Sequence, residues 1–389
     1  METMMLNSLA LLDLLRTVLP NSKEFYPLHE PKFERKTADE VKSCVESGWV
    51  SSSGVNINRL EQLCSEILNK THCIAVSSGT AALHLSYIAL DIPPNSEVFC
   101  PGISFVATAN TIRYIGAQPY FIDVDRLSLC MSADSLEIEI SKNCEVIKDQ
   151  LVNKVTGKII SAIVIVNTFG NSPNLVKINK IAKMYNLKLI EDAAGALGSR
   201  YMNSTPGELS DIATYSFNGN KIITGGSGGL VVTKNDNICR KIKHLSTTAK
   251  LVHPWEYNHD VVGYNYRMPN LNATLILSQL KHFEKILRKK RDLHSIYSEL
   301  FTNLPVRVLS EPRDSFSNYW LICLDLMADD INLRNTILET LNKNNIMSRP
   351  LWTPLYKLES FKCNPRSDMR NCENAFINVI NLPSSPHLI

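Results

Sequence analysis

The chain has 389 residues, of which 44% are apolar and 20% charged, and a formal net charge of +3 at neutral pH. These are ordinary globular values, and they exclude a disordered or fibrous chain. The charge is too small to indicate nucleic-acid binding, and no run is long enough to span a membrane, so we expect neither partner. The ten cysteines form no C-x-x-C pair. The sequence therefore predicts no metal site and no disulfides, but reduced thiols in a cytoplasmic protein.

The first predicted element is an amphipathic helix within residues 1–25. Its leucine-rich run contains Asp13 and Arg16, and it lacks a basic leader and a small-residue cleavage site. We therefore interpret it as a helix of the mature protein and not as a signal peptide. Residues 21–60 are predicted to be largely irregular, and a helix follows over Leu60–Leu68.

From there, short apolar strands alternate with helices. Helices are predicted over Ala81–Leu90, Phe105–Ile115 and Leu175–Tyr185. The alternation predicts an α/β domain over residues 26–250, with a large, mostly parallel seven-stranded sheet covered on both faces. The strands are predicted over Cys73–Ser77, Glu97–Cys100, Gln118–Val124, Ser161–Asn167, Lys188–Glu191, Ile212–Phe217 and Leu230–Thr233.

The alternation stops after Thr233. Residues 251–389 are predicted to form a smaller C-terminal α+β domain, with long helices over Leu271–Leu300 and Ile331–Asn342 and an extended segment at Trp320–Leu326. The basic run within the first of these helices is expected to be its solvated face.

Ligands of parallel sheets bind beyond the carboxyl ends of the strands. There, Ser78, Gly79, Thr80 and Ala81 open a helix whose unpaired backbone N–H groups suit a phosphate, although an ordinary helix cap is the commoner use of such residues. Phe105 follows the second strand, either as an aromatic that stacks on a planar ring or as a core residue.

Two further strand ends carry charge. The fifth strand ends at Glu191 and Asp192, and a buried carboxylate there needs a partner, which a protonated ring nitrogen or a helix N-terminus would supply. Lys221 lies in the Gly- and Asn-rich loop between the last two strands, five residues after Ser216. On this stretch alone, Lys221 is best interpreted as a solvated lysine. A lysine amine, a carboxylate, an aromatic ring and a helix N-terminus with hydroxyls are, however, together what pyridoxal phosphate requires.

In its motifs the chain resembles the DegT/DnrJ/EryC1/StrS sugar aminotransferases, which act on nucleotide-linked 4-keto-6-deoxy sugars. The shared motifs run from L-H-E-P (Leu28–Pro31) through S-G-T-A-A-L, F-V-A-T-A-N, E-D-A-A and S-F-N-G-N-K to G-Y-N-Y-R-M (Gly263–Met268). The runs W-V-S-S-S-G, F-N-G-N-K-I-I-T, H-L-S-T-T-A-K and R-P-L-W-T make it most similar to the branch of legionaminic-acid or bacillosamine-type pathways. The resemblance implies the aspartate-aminotransferase fold and a homodimer with shared active sites.

The resemblance also implies residue roles. Lys221 would bind pyridoxal phosphate, which alternates with pyridoxamine phosphate, and Asp192 would pair with the ring nitrogen while Phe105 stacks on the ring. Asn265 would reach the phosphate from the neighbouring subunit. The phosphate would otherwise be bound by Ser78, Gly79, Thr80, Ala81 and Ser216. Candidates for contacts with the sugar, the uracil or the diphosphate, each as consistent with interface or core packing, are His29, Trp49, Arg267, Arg349 and Trp352.

The chain departs from the family pattern at two positions. Gly195 stands where a larger polar residue, often Gln or His, usually lies near the ring hydroxyl of the cofactor, so another group or water must make that contact. Ser227 stands where many members carry Glu, within a glycine framework that is retained.

The implied reaction moves an amino group from L-glutamate to C4 of the sugar, with UDP-2-acetamido-2,6-dideoxy-4-hexulose as the first candidate, for a bacterial surface glycan. Three alternatives are compatible with the same fold: an aminotransferase acting on another nucleotide-linked 4-keto sugar of the GDP-perosamine type, a non-catalytic regulatory protein that binds pyridoxal phosphate, and a dehydratase. A dehydratase would typically carry His in place of Lys221. A plain nucleotide-binding module would need G-x-G-x-x-G after the first strand, which S-S-G-T-A-A does not supply.

Overall fold

The computed structural model of the protein describes residues 6–20, 23–69 and 72–389. The strands are β1 (His72–Val76), β2 (Glu97–Pro101), β3 (Gln118–Ile122), β4 (Cys144–Ile147), β5 (Gln150–Asn153), β6 (Ile160–Val166), β7 (Lys188–Asp192), β8 (Arg200–Tyr201), β9 (Ile212–Ser216), β10 (Gly229–Thr233), β11 (Arg307–Val308), β12 (Ser315–Phe316), β13 (Ile322–Asp325), β14 (Arg349–Pro350) and β15 (Val379–Leu382).

The α-helices are α1 (Ser8–Val18), α2 (Arg35–Glu46), α3 (Val55–Ile67), α4 (Gly79–Ala89), α5 (Ala107–Tyr114), α6 (Ala133–Asn143), α7 (Leu175–Met184), α8 (Asp236–Ser246), α9 (Asn270–Leu280), α10 (Phe283–Leu300), α11 (Ile331–Lys343) and α12 (Arg370–Asn378). Two 3-10 turns cover Thr168–Gly170 and Leu355–Lys357.

A seven-stranded sheet organises the large part of the molecule, in the order β1-β10-β9-β7-β6-β2-β3. The pairs β9–β7, β7–β6, β6–β2 and β2–β3 are parallel, and β10 runs antiparallel to both β1 and β9. Strands buried on both faces favour continuous apolar runs such as I-S-A-I-V-I-V in β6. The seven predicted strands and the mostly parallel sheet are confirmed.

Apolar layers cover both faces of this sheet. One layer joins α4, α5 and α8 to the sheet through residues such as Leu85, Ile112 and Ile242. Towards the β1 side of the opposite face, α3, α9 and the start of α10 pack through residues such as Leu60 and Ile276. The carboxyl ends of β2, β7 and β9 are left open, and the site lies there.

A second, four-stranded sheet, β11-β13-β15-β14, forms the smaller C-terminal layer. Helices α1 and α11 pack on it, so the predicted N-terminal helix (α1) belongs to this layer. Residues 1–5 and 21–22 of that prediction lie outside the described residues.

The change from one layer to the other occurs inside α10. Phe283 and Leu287 pack with the large sheet, whereas Leu293 and Tyr297 pack with the small one. This packing puts the change later than the predicted boundary near residue 251, and the division into domains remains a prediction.

Three local predictions are wrong. The predicted long helix breaks at Lys281 between α9 and α10, and α2 forms within the stretch predicted to be irregular. Lys290, in the basic run expected to be solvated, is fully buried, and its amine donates to the carbonyl oxygens of Trp320 (2.8 Å) and Ser384. Within the described ranges, every helix is too short or too polar to cross a bilayer.

Candidate active site

The loop between β9 and β10 holds Lys221 in a fixed turn. Gly226 and Gly228 have φ values of 75° and 138°, which non-glycine residues rarely adopt, and they let the chain fold back. From α9, the Gln279 amide clamps this loop by accepting from the Thr224 N–H (3.1 Å) and donating to the Thr224 carbonyl (2.6 Å). Lys221 is therefore presented by a loop that is tied to the helix layer behind it.

A cavity of about 650 Å³ opens where these strands end. Leu351 of the segment after β14, together with Trp320 and Asn381, closes the side that the small layer supplies. The predicted site residues that line it together are Ser78, Gly79, Thr80, Phe105, Asp192, Ser216, Lys221, Arg349 and Trp352.

The amine of Lys221 is placed for chemistry at neutral pH. The residue is only partly buried because the cavity reaches it, but protein atoms surround its amine. Burial disfavours the charged ammonium and lowers the pKa of Lys221 to about 7, although the nearby Asp192 carboxylate acts in the opposite direction. A substantial fraction of the amine is thus neutral, and so nucleophilic and basic, near neutral pH.

Asp192 ends β7 at the floor of the cavity. Its Oδ2 accepts from the Thr108 hydroxyl (2.7 Å) and its Oδ1 from the Ala194 N–H (3.1 Å). Burial raises the pKa of the Asp192 carboxyl above its ordinary value, an effect that these two hydrogen bonds and Lys221 reduce. A buried carboxylate of this kind is stabilised by a cationic partner.

The N-terminus of α4 forms the opposite end of the site. A Cβ built at Gly79 would lie 2.9 Å from the Cβ of Ser216, so only glycine lets α4 approach β9 this closely. Ser78 caps the helix by accepting from the Ala81 N–H (3.0 Å). The amide of Ala81 is thereby occupied, and the N–H groups of Gly79 and Thr80 are the ones that face an anion most directly.

The structure does not bring the remaining predicted residues to this cavity. Arg267 pairs with Glu61 (2.5 Å) behind β1, and Asn265 is exposed on the loop before α9. Trp49 lines a separate surface groove beside α2 and α9. His29 is buried next to a cavity on the far side of the Lys221 loop.

Sequence reasoning missed two contacts of the site. Thr108 lies within F-V-A-T-A-N, and the helical spacing from Phe105 was the signal that could have placed it at the same strand end. Trp320 is distant in sequence, and no local pattern connects it with Lys221, yet its ring centroid lies 3.4 Å from the Lys221 amine.

These residues fit the cofactor that the resemblance implies. A buried carboxyl with a raised pKa suits a protonated ring nitrogen, a neutral lysine amine suits covalent attachment, and an open helix N-terminus suits a phosphate. Among the described residues, no group of three or more His, Cys, Asp or Glu side chains is arranged to hold a metal ion.

Comparison with known proteins gives a consistent match over nearly the whole chain. The sequence model of the DegT/DnrJ/EryC1/StrS aminotransferase family matches residues 31–389. GDP-perosamine synthase of Vibrio cholerae is 34% identical over 363 residues, covering 93% of this chain and 94% of that protein. GDP-perosamine synthase of Escherichia coli O157:H7 is 34% identical over 371 residues, covering 94% of each.

A solved structure shares the fold. Helicobacter pylori PseC, an aminotransferase involved in pseudoaminic acid biosynthesis, superposes with a TM-score of 0.84 at 24% identity. The match covers 94% of this chain and 95% of that one. The predicted aspartate-aminotransferase-like architecture is thereby confirmed.

Proposed function

The chain belongs to the DegT/DnrJ/EryC1/StrS aminotransferase family and is a pyridoxal phosphate-dependent aminotransferase, and we propose that it transfers an amino group from L-glutamate to C4 of a nucleotide-linked 4-keto-6-deoxy sugar. One observation carries the proposal: a partly neutral Lys221 amine and the buried Asp192 carboxyl line the same cavity as the N-terminus of α4. A lysine whose pKa is lowered by burial, beside a buried carboxyl in an open cavity, is typical of a catalytic site.

The chain's own residues have separate tasks in this reaction. Pyridoxal phosphate supplies an electron-accepting ring that stabilises negative charge on the carbon next to the transferred nitrogen. Lys221 would bind the cofactor and, once released as a positioned neutral amine, its Nζ would carry the α-proton of glutamate from the α-carbon to the cofactor in the first half of the reaction. In the second half it would carry a proton from the cofactor to C4 of the sugar. Asp192 keeps the ring nitrogen protonated, and Thr108 holds the Asp192 carboxylate in place.

The walls of the cavity bind and orient. The Gly79 and Thr80 N–H groups and the hydroxyls of Ser78 and Ser216 hold the phosphate. Phe105, which is 59% exposed at the mouth, covers the ring face. Arg349 provides a positive charge for a carboxylate or a diphosphate, and Trp352 provides a flat apolar surface for the sugar.

The site is completed by a second copy of the chain. Asn265 is exposed and lies outside the cavity of its own protomer, as expected for a residue that reaches the phosphate of a neighbour. The loop before it carries apolar side chains with very high exposure, 103% at Val252, 75% at Trp255 and 84% at Val262. Apolar exposure of this extent is typical of an interface, and we propose a homodimer with shared sites.

Two acceptor sugars are candidates. The motifs shared with the legionaminic-acid and bacillosamine branch support UDP-2-acetamido-2,6-dideoxy-4-hexulose. The GDP-perosamine synthases that match at 34% identity support a GDP-linked 4-keto-6-deoxy sugar equally. All ten cysteines lie in the described part of the chain and none forms a disulfide, which is consistent with a cytoplasmic enzyme of nucleotide-sugar metabolism.

The test is a direct product assay. Purified enzyme with pyridoxal phosphate and 15N-labelled L-glutamate is offered each 4-keto sugar separately, and the product is analysed by mass spectrometry. We expect 15N to appear in a 4-amino sugar from one of the two nucleotides, with 2-oxoglutarate formed in equal amount. If the cofactor-loaded enzyme transfers no 15N from glutamate to either sugar, the proposal is contradicted.

A further inference from the structure

Trp320 lies between the two layers and is held by each of its polar groups. Its backbone N–H donates to the Asn318 side chain (2.8 Å), and its carbonyl accepts from the buried Lys290 amine (2.8 Å). Its indole N–H donates to the backbone carbonyl of Asn220 (2.8 Å). The indole is 5% exposed, so its orientation is fixed by the surrounding chain.

The indole face and the Lys221 amine are in contact. The ring centroid lies 3.4 Å from Lys221 Nζ, well within the range of a cation–π interaction. The residue that accepts from the indole N–H, Asn220, directly precedes Lys221 in the chain. One side chain therefore fixes both the backbone that carries Lys221 and the amine at its end.

Gly195 leaves the room that Trp320 uses. A Cβ built at Gly195 would overlap Cε3 of the indole and lie 3.0 Å from Cζ3. Gly195 has no positive φ, so the overlap and not the backbone conformation excludes a side chain there. The Asn318 amide donates to the Gly195 carbonyl (3.0 Å) and thereby ties the two positions together.

Phe169 packs near the indole of Trp320 and the ring of Trp352. The Phe169 ring lies 6.1 Å from that of Trp320 and 4.6 Å from that of Trp352. Phe169 is buried with a φ of 53°, a strained conformation for a residue with a bulky side chain. Strain of this kind persists only where the surroundings impose it, and here it holds Phe169 against both tryptophans.

We propose that Trp320 is a positioning residue for Lys221. Its indole occupies the space that a side chain at position 195 would fill, and it holds the lysine amine within the cavity. The inference rests on the proposed role of Lys221, because an amine that moves protons must stay in place when it is released from the cofactor. It also explains the glycine at position 195: any side chain there would push the indole away from the amine.

The contact is tested in the cofactor-free full chain by competitive labelling. Trace acetic anhydride is added at a series of pH values, and the acetylation of Lys221 relative to the exposed Lys188 is measured by mass spectrometry. Trp320→Leu keeps the apolar surroundings but removes the attraction of the ring for the ammonium form. We expect the pH at which acetylation of Lys221 is half-maximal, its midpoint, to fall by about one pH unit in Trp320→Leu. It should fall by less in Trp320→Phe, which retains an aromatic face.

Two further variants separate positioning from packing. Gly195→Ala should displace the indole and lower the Lys221 midpoint as well. In the double variant with Trp320→Leu, Gly195→Ala should have little further effect, because the smaller leucine leaves room for the alanine side chain. In the cofactor-loaded enzyme, kcat should fall about tenfold with Trp320→Leu while KM for glutamate changes little. Phe316→Leu, which removes the aromatic partner of Arg291 (4.0 Å) outside the cavity, is the matched control and should leave the midpoint unchanged.

The outcomes distinguish the two proposals. A wild-type Lys221 midpoint near that of Lys188 would contradict the role of Lys221 itself. If the wild-type Lys221 midpoint lies well below that of Lys188, but Trp320→Leu and Gly195→Ala leave it unchanged or raise it, only the role of Trp320 is overturned.

Discussion

Burial is the main influence on the protonation of Lys221 and Asp192. It shifts each towards its neutral form, lowering the pKa of the amine and raising that of the carboxyl. Each side chain partly offsets the effect on the other through its charge. The neutral form of the Lys221 amine is therefore substantially populated near neutral pH, since its pKa lies at about 7.

The low pKa of Lys221 predicts how the cofactor-free enzyme captures pyridoxal phosphate. Only the neutral amine reacts, so the capture rate should rise about tenfold per pH unit below the midpoint and level off above it. With the pKa of Lys221 at about 7, the midpoint should lie near pH 7. Stopped-flow absorbance from pH 5.5 to 10 measures this rate, and a rate still rising at pH 9 would contradict the account.

Asp192→Asn should separate the charge of this residue from its shape. The amide keeps the volume and can keep one of the two hydrogen bonds, but it cannot hold a ring nitrogen protonated. We expect kcat to fall by about 10²-fold or more, with weaker cofactor binding. Asp211→Asn, at the other end of the sheet, is the matched control and should remain near wild type. Steady-state kinetics decide, and a near-normal kcat for Asp192→Asn would show that the partner of the ring is misassigned.

At the scale of elements, α9 determines where the Lys221 loop lies. Gln279 forms both hydrogen bonds that tie Thr224 of this loop to the helix, and both Thr224 and Gln279 are buried. The sequence does not indicate this clamp, because Gln279 lies on α9, 55 residues after Thr224 in the chain, and no local pattern connects the two.

Gln279→Leu should loosen the loop. The variant leaves the buried N–H and carbonyl of Thr224 without these partners, and we expect it to lower the free energy of unfolding by about 1–3 kcal/mol. It should also increase the rate of cofactor loss, since the loop that carries Lys221 is freed. Urea unfolding and cofactor dissociation measure the two effects, with the exposed Gln62→Leu on α3 as the control. Unchanged cofactor release would show that α9 does not support the site.

The sequence predicts elements well where one physical rule dominates. Apolar runs such as β6 are long enough to specify buried strands, and S-S-G-T-A-A specifies a helix start. Local sequence predicts a continuous helix through Lys281, where the chain breaks, and an irregular segment at Arg35–Glu46, where α2 forms. Leu280 and Phe283, on either side of the break, both pack with the large sheet, and α2 packs on α9, so both departures involve contacts that are distant in sequence. The charge pattern predicts a solvated Lys290, and that prediction is wrong for a similar reason. Lys290 is buried because its amine donates to the carbonyl oxygens of Trp320 and Ser384, which are far away in sequence.

At the scale of the whole molecule, the site is made by strand ends that are distant in sequence and by a wall from the small layer. Parallel topology made it predictable that Ser78, Phe105, Asp192 and Lys221 would meet, because their strand ends lie on one edge of the sheet. The contribution of Trp320 was not predictable, since it depends on how the second layer packs on the first.

Shared sites in a homodimer predict complementation between inactive variants. Lys221→Ala and Asn265→Ala homodimers should each be impaired, but mixing them should give hybrids in which one site has both residues intact. With random exchange, roughly a quarter of wild-type activity should appear. The measurement is activity after the two variants are partly unfolded and refolded together, compared with each refolded alone. No gain, with hybrids demonstrated by mass spectrometry, would contradict shared sites.

One absorbance titration of the holoenzyme tests directly whether Lys221 serves a glutamate-dependent sugar aminotransferase. Glutamate is added first, and each 4-keto sugar nucleotide afterwards, while the visible band of the bound cofactor is followed. We expect glutamate to bleach the band and one of the two sugars to restore it, in the wild type but not in Lys221→Ala. A band that glutamate does not bleach, or a Lys221→Ala variant that cycles normally, would contradict the assignment of Lys221 as the lysine of a glutamate-dependent sugar aminotransferase.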